Sequence, residues 1–218
     1  MSLEGEHNKG CVINRFRDFR HFICPYNSDL YSFGMSGIVV DLTKNFFELF
    51  QLPVGFQVDQ ALLSERYREL QKSVHPDRFA GEDERQQRLA VQYAAYVNEG
   101  LETLKSPLNR SLYLLELAGR PVDLENNTVM DTIFLMEQME LREAVSEIRE
   151  HQDPESELER LMAQVNQIMA DYQSEFASLW QKGGEASLEQ AAAVVQKMQF
   201  MVKLSAEMEQ LEAELLGD

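Results

Sequence analysis

With 218 residues, 44% hydrophobic and 26% charged, the chain has the composition of a soluble globular protein of one large or two small domains, and no uninterrupted apolar run is long enough to cross a bilayer. The formal charge of −17 is concentrated at the end, where residues 129–218 carry six basic against nineteen acidic side chains, a net of −13. A surface of that sign repels phosphate backbones, which excludes nucleic acid as the main partner.

Residues 1–43 read as an N-terminal extension. The segment INRFRDFRHFICPY mixes Arg15, Arg17 and Arg20 with aromatics and lacks the long apolar centre of a secretory signal. It suits an organellar transit segment, a tag, a disordered tail or an extension upstream of a start at Met35. Both cysteines, Cys11 and Cys24, fall here, so the remainder cannot be a disulfide scaffold, and a reducing cytoplasmic setting is expected. His7, Cys11, His21 and Cys24 are zinc-type ligands, but their spacing matches no common ribbon or finger. Neither a metal nor another cofactor is expected.

From residue 44 the chain reads as helix after helix. KNFFELFQL is a short helix ended ahead of Pro53, because the residue before a proline is pushed out of the α region. Asp59 caps a second helix with Leu63, Tyr67, Leu70 and Val74 on its buried side and Glu65, Arg68, Glu69 and Lys72 opposite. Pro76 stops it at about His75. After Gly81 a longer helix runs to about Leu104, with Ala90, Tyr93, Val97, Leu101 and Leu104 at helical spacing. Ser106-Pro107 opens the next helix and Gly119 closes it. GRPVDLENNT, residues 119–128, has no periodicity and reads as a linker. Three further helices are expected near 129–150, 155–182 and 187–216, broken at Asp153-Pro154 and Gly183-Gly184. Short connections make consecutive helices antiparallel, which is a three-helix bundle, and the class is all-α.

The turn His75-Pro76-Asp77 places an imidazole and a carboxylate two residues apart. A hydrolase would also need a nucleophile and an oxyanion site, and the chain has no G-x-S-x-G elbow, H-E-x-x-H helix or Gly-rich phosphate loop. An enzyme is not expected. In context the turn follows a helix of alternating charge with Arg68 and Lys72 exposed, and it precedes Arg78 and an amphipathic helix containing AAYVNEGLETLKSPLNR. Over roughly residues 44–118 this resembles the J-domain of the DnaJ family. The resemblance implies a helical hairpin that presents His75, Pro76 and Asp77 to the ATPase domain of a DnaK-type chaperone, with Arg68, Lys72 and Arg78 drawn to its acidic surface.

In the run TIFLMEQMELREAVSEI, residues 132–148, Phe134, Leu141, Val145 and Ile148 group with Met130 on one side at about 100° per residue, a core stripe. Leu135, Met136 and Met139 fall roughly opposite, and Glu140, Glu143 and Glu147 continue along that second side. Either the bundle buries both sides, or the second is a wet protein-binding surface of adaptable thioethers edged by acids. Spacing leaves both open.

Residues 44–218, through HPDRFA and DTIFLMEQMELRE, are similar to the HscB family, the dedicated J-proteins of bacterial iron–sulfur cluster assembly. That family more usually has Lys where Arg78 stands. The resemblance implies a scaffold-binding set of Leu135, Met136, Met139, Glu140, Glu143 and Glu147, joined by Phe200 of the last helix. On that helix Leu188, Ala191, Val195, Met198 and Val202 read as the core stripe. Phe200 lies about 140° away from it, beside a second stripe of Met201, Leu204 and Met208. The implied partners are an HscA/DnaK-type ATPase chaperone and an IscU-type iron–sulfur scaffold. The implied activity is stimulation of the chaperone's ATPase and delivery of the scaffold to it by a monomer. Eukaryotic relatives carry an N-terminal metal-binding piece with four cysteines; this chain has two, spaced differently, and the feature does not carry over. Two rivals stand beside this reading. One is a helical adaptor self-associating through the Leu/Met side; the other is a general J-protein for unfolded clients, although no Gly/Phe-rich linker or zinc-binding cysteine repeat is present.

Overall fold

A computed structural model of the chain describes residues 42–124 and 132–217. The expected extension up to residue 41 with its zinc-type quartet, Met130 and linker residues 125–128 lie outside the described residues. Among the described residues there are seven α-helices, two 3-10 turns and no strand.

The first helix, α1 (Phe46–Leu49), starts in a capping box: the Asn45 side chain accepts from the Glu48 N–H, and Glu48 accepts from the Asn45 N–H. It is shorter than expected and does not run on to Pro53. Gln51 takes a left-handed φ of 55°, Leu52 N–H donates to the Phe47 carbonyl at 2.8 Å and Gln51 N–H to that of Glu48 at 3.1 Å. This Schellman closure ends the helix before proline can act. The Phe46 ring packs between Tyr96 and Tyr113, at centroid distances of 5.1 and 4.8 Å.

The hairpin on which α1 sits consists of α2 (Gln60–Val74) and α3 (Glu84–Lys105). Asp59 caps α2 as expected, accepting from the Ala61 and Leu62 N–H groups. Leu63, Leu70 and Val74 bury against α3, which contributes Ala90, Val97 and Leu104. Gly100 is the point of closest approach to α1: a Cβ there would stand 2.9 Å from both the Phe46 and Phe50 rings. Gly100→Ala should therefore lower stability by about 1–3 kcal/mol, although alanine is the better helix former by about 1 kcal/mol, because both rings are buried and have nowhere to yield. A denaturant midpoint at or above that of the parent would refute the tight-contact argument.

Ser106 caps α4 (Pro107–Leu117), and Gly119, at φ 77°, closes it. Beyond the linker, α5 (Thr132–Glu147) continues into a 3-10 turn, Ile148–Glu150. Asp153 caps α6 (Pro154–Lys182), and the Ser156 groups that hydrogen-bond its carboxylate hold its pKa below the usual range. Gly183 and Gly184, at φ 64° and 80°, reverse the chain into α7 (Glu185–Gly217). Arg142 pairs with Glu207 and Arg149 with Glu214. The second pair lies about two helical turns after the first, along α5 with its closing 3-10 turn and along α7, so α5 and α7 run parallel and α6 opposes both.

Two cores result. The second belongs to the bundle and contains Phe134, Leu141, Ile148, Leu161, Val165 and Met201. The first begins with Phe47, Phe50, Leu63 and Leu115 of the hairpin region and continues without a break into Phe176 of α6 and Ala191, Val195 and Met198 of α7. Phe56 meets Phe176 at 5.0 Å, and the Arg110 guanidinium lies 4.9 Å above the Phe56 ring. Arg110 is only 6% exposed, and burial draws its pKa down from the ordinary guanidinium value.

On α7 the expected core stripe needs correction. Val202 is 43% exposed, whereas Phe200 is buried. The buried positions step through Val194, Met198, Met201, Leu204, Met208 and Leu211 by threes and fours, so the stripe leaves Met198 through Met201 instead of Val202. Phe200 joins this stripe because α5 packs on that side as well.

Candidate functional site

At the tip of the hairpin, α2 ends at Val74 and Pro76–Phe79 form a single 3-10 turn. His75 is the hinge residue, with φ −59° and ψ 126°, the extended conformation that a following proline imposes. Its Nδ1 accepts from the Asp77 backbone N–H at 3.3 Å and lies 3.5 Å from the Asp77 carboxylate. The two contacts compete for one nitrogen: a ring that accepts at Nδ1 carries its proton on Nε2, whereas donation to the carboxylate needs a proton on Nδ1. Either way, the side chain of Asp77 is 90% exposed, a free-standing acceptor at the apex.

The loop is fastened on both sides. The Arg78 guanidinium donates to the Lys72 carbonyl at 3.1 Å, placing a cation on the last turn of α2, where the helix dipole favours it. From α3, Gln87 donates to the carbonyls of Glu82, at 2.9 Å, and Ala80. Sequence reading missed Gln87, since a glutamine in the first turns of a helix carries no signal of its own. Arg68 and Lys72 are exposed on α2, next to Arg78, as expected. The tip is thus a fastened turn with the Asp77 carboxylate at its apex and Arg68, Lys72 and Arg78 on the α2 side.

The second candidate is the outer side of α5. Phe134 and Leu141 are buried, at 3% and 6% exposure, while Leu135, Met136 and Met139 are 44%, 61% and 72% exposed. The alternative left open by spacing is thereby resolved: one side is core and the other faces solvent. Glu140, Glu143 and Glu147 are exposed along it. Ile133, 65% exposed one turn before Met136, extends the apolar area and was not singled out from the sequence.

Phe200 does not share that exposure. Its ring meets Phe134 edge-on at 5.9 Å, and the Arg142 guanidinium covers it at 5.5 Å. It therefore holds α5 against α7 from beneath. On the far side of Phe134, the Lys197 ammonium lies 5.5 Å from that ring and 5.6 Å from the Tyr172 ring. Burial, reinforced by the carboxylates of Glu137 and Glu175, pushes the Tyr172 phenol up to about 12. Among the described residues, no three His, Cys, Asp or Glu side chains cluster as metal ligands, and no helix is long and apolar enough to cross a membrane.

Known proteins share this fold. Residues 130–209 match the family model described as the HSCB C-terminal oligomerisation domain. The co-chaperone protein HscB homolog of Shewanella loihica is 51% identical over 172 residues, spanning 77% of this chain and 97% of that protein. The solved chaperone HscB from Vibrio cholerae is 39% identical with a TM-score of 0.70, covering 79% of this chain and 99% of that one. The human co-chaperone protein HscB reaches a TM-score of 0.75 at 26% identity, over 87% and 93% of the two chains. A stiff HPD turn on a helical hairpin, a bundle behind it and a near full-length match to bacterial co-chaperones lead to one assignment: this chain belongs to the HscB co-chaperone family.

Proposed function

We propose that the chain stimulates ATP hydrolysis by an HscA/DnaK-type chaperone and delivers an IscU-type iron–sulfur scaffold to it, promoting cluster assembly and transfer. In this reading residues 44–118 are the J-domain, with His75, Pro76, Asp77, Arg68, Lys72 and Arg78 meeting the chaperone. Residues 129–218 bind the scaffold through Leu135, Met136, Met139, Glu140, Glu143 and Glu147, with Phe200 supporting α5 from below. The protein works as a cytoplasmic monomer, hydrolyses nothing itself and uses no cofactor.

One observation supports the reading: a single chain of this family presents two separate exposed features, a carboxylate on a fastened loop and an apolar helix side edged by glutamates. A fixed loop loses little entropy on docking, and Asp77 suits a charge-assisted bond to a partner arginine. Holding the scaffold at one surface raises its effective concentration at the chaperone bound to the other.

Single-turnover ATP hydrolysis by an HscA-type chaperone tests this directly. The protein should accelerate it, and the scaffold should add further acceleration; no acceleration with either combination would overturn the proposal. Replacing Leu135, Met136 and Met139 together by Ala should weaken scaffold binding on the order of 30-fold or more in calorimetric titration, the equivalent of about 2 kcal/mol, which a central cluster of three apolar side chains can supply jointly. Their exposure predicts a melting curve close to the parent's.

The oligomerisation description of the matched family model favours a second reading, self-association through the same side of α5. Sedimentation velocity separates the two. A concentration-dependent dimer abolished by the triple substitution would support the adaptor, and a monomer at all concentrations would dismiss it.

A further inference from the structure

Seven of the methionines lie among the described residues, and their environments divide sharply. Met198, Met201 and Met208 are at most 1% exposed. Met162 and Met169 are half-buried against the second core. Met136 and Met139, at 61% and 72%, are the two exposed ones, and they sit three residues apart on the same side of α5.

We propose that Met136 and Met139 form a peroxide-sensitive modification site whose oxidation to the sulfoxide switches scaffold docking off. The docking consequence rests on the scaffold-binding reading of α5; the order of oxidation does not. The step is a two-electron oxidation by hydrogen peroxide. The thioether sulfur attacks one peroxide oxygen, the O–O bond breaks, an S–O bond forms, and the second oxygen leaves as water after taking up a proton. The sulfur must be reached by the oxidant, so reaction follows exposure. The core methionines are shielded, and the fold survives a dose that modifies the surface pair.

The product turns an adaptable apolar contact into a polar acceptor. Its neighbours on this side of the helix are Glu140 and Glu143, both exposed carboxylates, which are hydrogen-bond acceptors like the sulfoxide itself. A partner closing over the sulfoxide would have to strip its water without replacing the hydrogen bonds, a penalty equivalent to roughly tenfold or more in affinity per group. The exposure that admits peroxide also admits a methionine sulfoxide reductase, so the change is reversible.

The full chain is treated with graded hydrogen peroxide and digested for mass spectrometry, while circular dichroism follows the fold. The dissociation constant for the IscU-type scaffold is measured untreated, oxidised and after enzymatic reduction. Met136 and Met139 should gain oxygen well before Met198, Met201 and Met208, the helical signal should hold, and affinity should fall roughly tenfold or more and recover on reduction. In the Met136→Leu/Met139→Leu protein the dissociation constant, whatever its starting value, should not move with peroxide. Oxidation beginning in the core methionines, or an oxidised protein that binds as tightly as the untreated one, would overturn the switch. Failure of the untreated protein to bind scaffold would instead sink the docking reading of α5, and the switch with it, while the mass spectra still report whether the surface pair is oxidised first.

Discussion

Asp77→Asn should remove stimulation of the chaperone's ATPase at concentrations where the parent is fully effective, while leaving the protein folded. Asparagine keeps the shape and turn-forming habit of aspartate, and the backbone N–H that His75 accepts is unchanged. Only the charge is removed, from a side chain that is 90% exposed. Stability should shift by no more than about 0.5 kcal/mol, the range for surface changes. A docked carboxylate paired with a partner arginine is another matter: losing one side of such a pair costs about 2–5 kcal/mol, or on the order of 30-fold or more in the concentration needed for stimulation. Single-turnover hydrolysis beside a thermal melt reads both quantities. Unaltered stimulation by a well-folded Asp77→Asn protein would make the turn a purely structural stop between α2 and α3.

Phe200→Ala should destabilise the bundle by about 3–5 kcal/mol, the usual loss for a buried phenylalanine. The cavity would open under Phe134 and Arg142, so α5 should loosen and scaffold affinity fall with it. Support from below and direct contact are separable through Phe200→Leu, which refills much of the volume. If Phe200 acts by holding α5, denaturant midpoint and scaffold affinity should recover together. Recovered stability with binding still lost would mean that the ring itself is touched by the partner.

Much of this was legible along the chain because it is written in local chemistry. Asp59, Ser106-Pro107, Gly119 and Gly183-Gly184 set helix ends within a few residues of their neighbours, and His75-Pro76-Asp77 marked the tip of the hairpin. The exposed side of α5 was half legible, since Leu135, Met136 and Met139 were grouped by spacing but their burial depended on how many helices surround them. Other features depend on distant partners. Gly100 is a seat for Phe46 and Phe50, which lie some fifty residues earlier. Phe200 turned inward because α5 covers a second side of α7; the sequence marked the second stripe of Met201, Leu204 and Met208 beside it but carried the core through Val202. Gln51 adopts a left-handed conformation in which glycine is the usual residue, so composition gave no warning.

The unbroken first core fixes the distance between the hairpin tip and the exposed side of α5. Phe56 against Phe176, with Arg110 above, joins hairpin to bundle by packed rings, so the connecting chain of residues 119–128 does not set the span. The molecule acts as a ruler, not a tether. On the proposed reading, cargo held on α5 would stand at one fixed offset from Asp77 instead of sampling a cloud of positions, and the spacing required by a partner touching both would be written into the size of a few aromatic side chains.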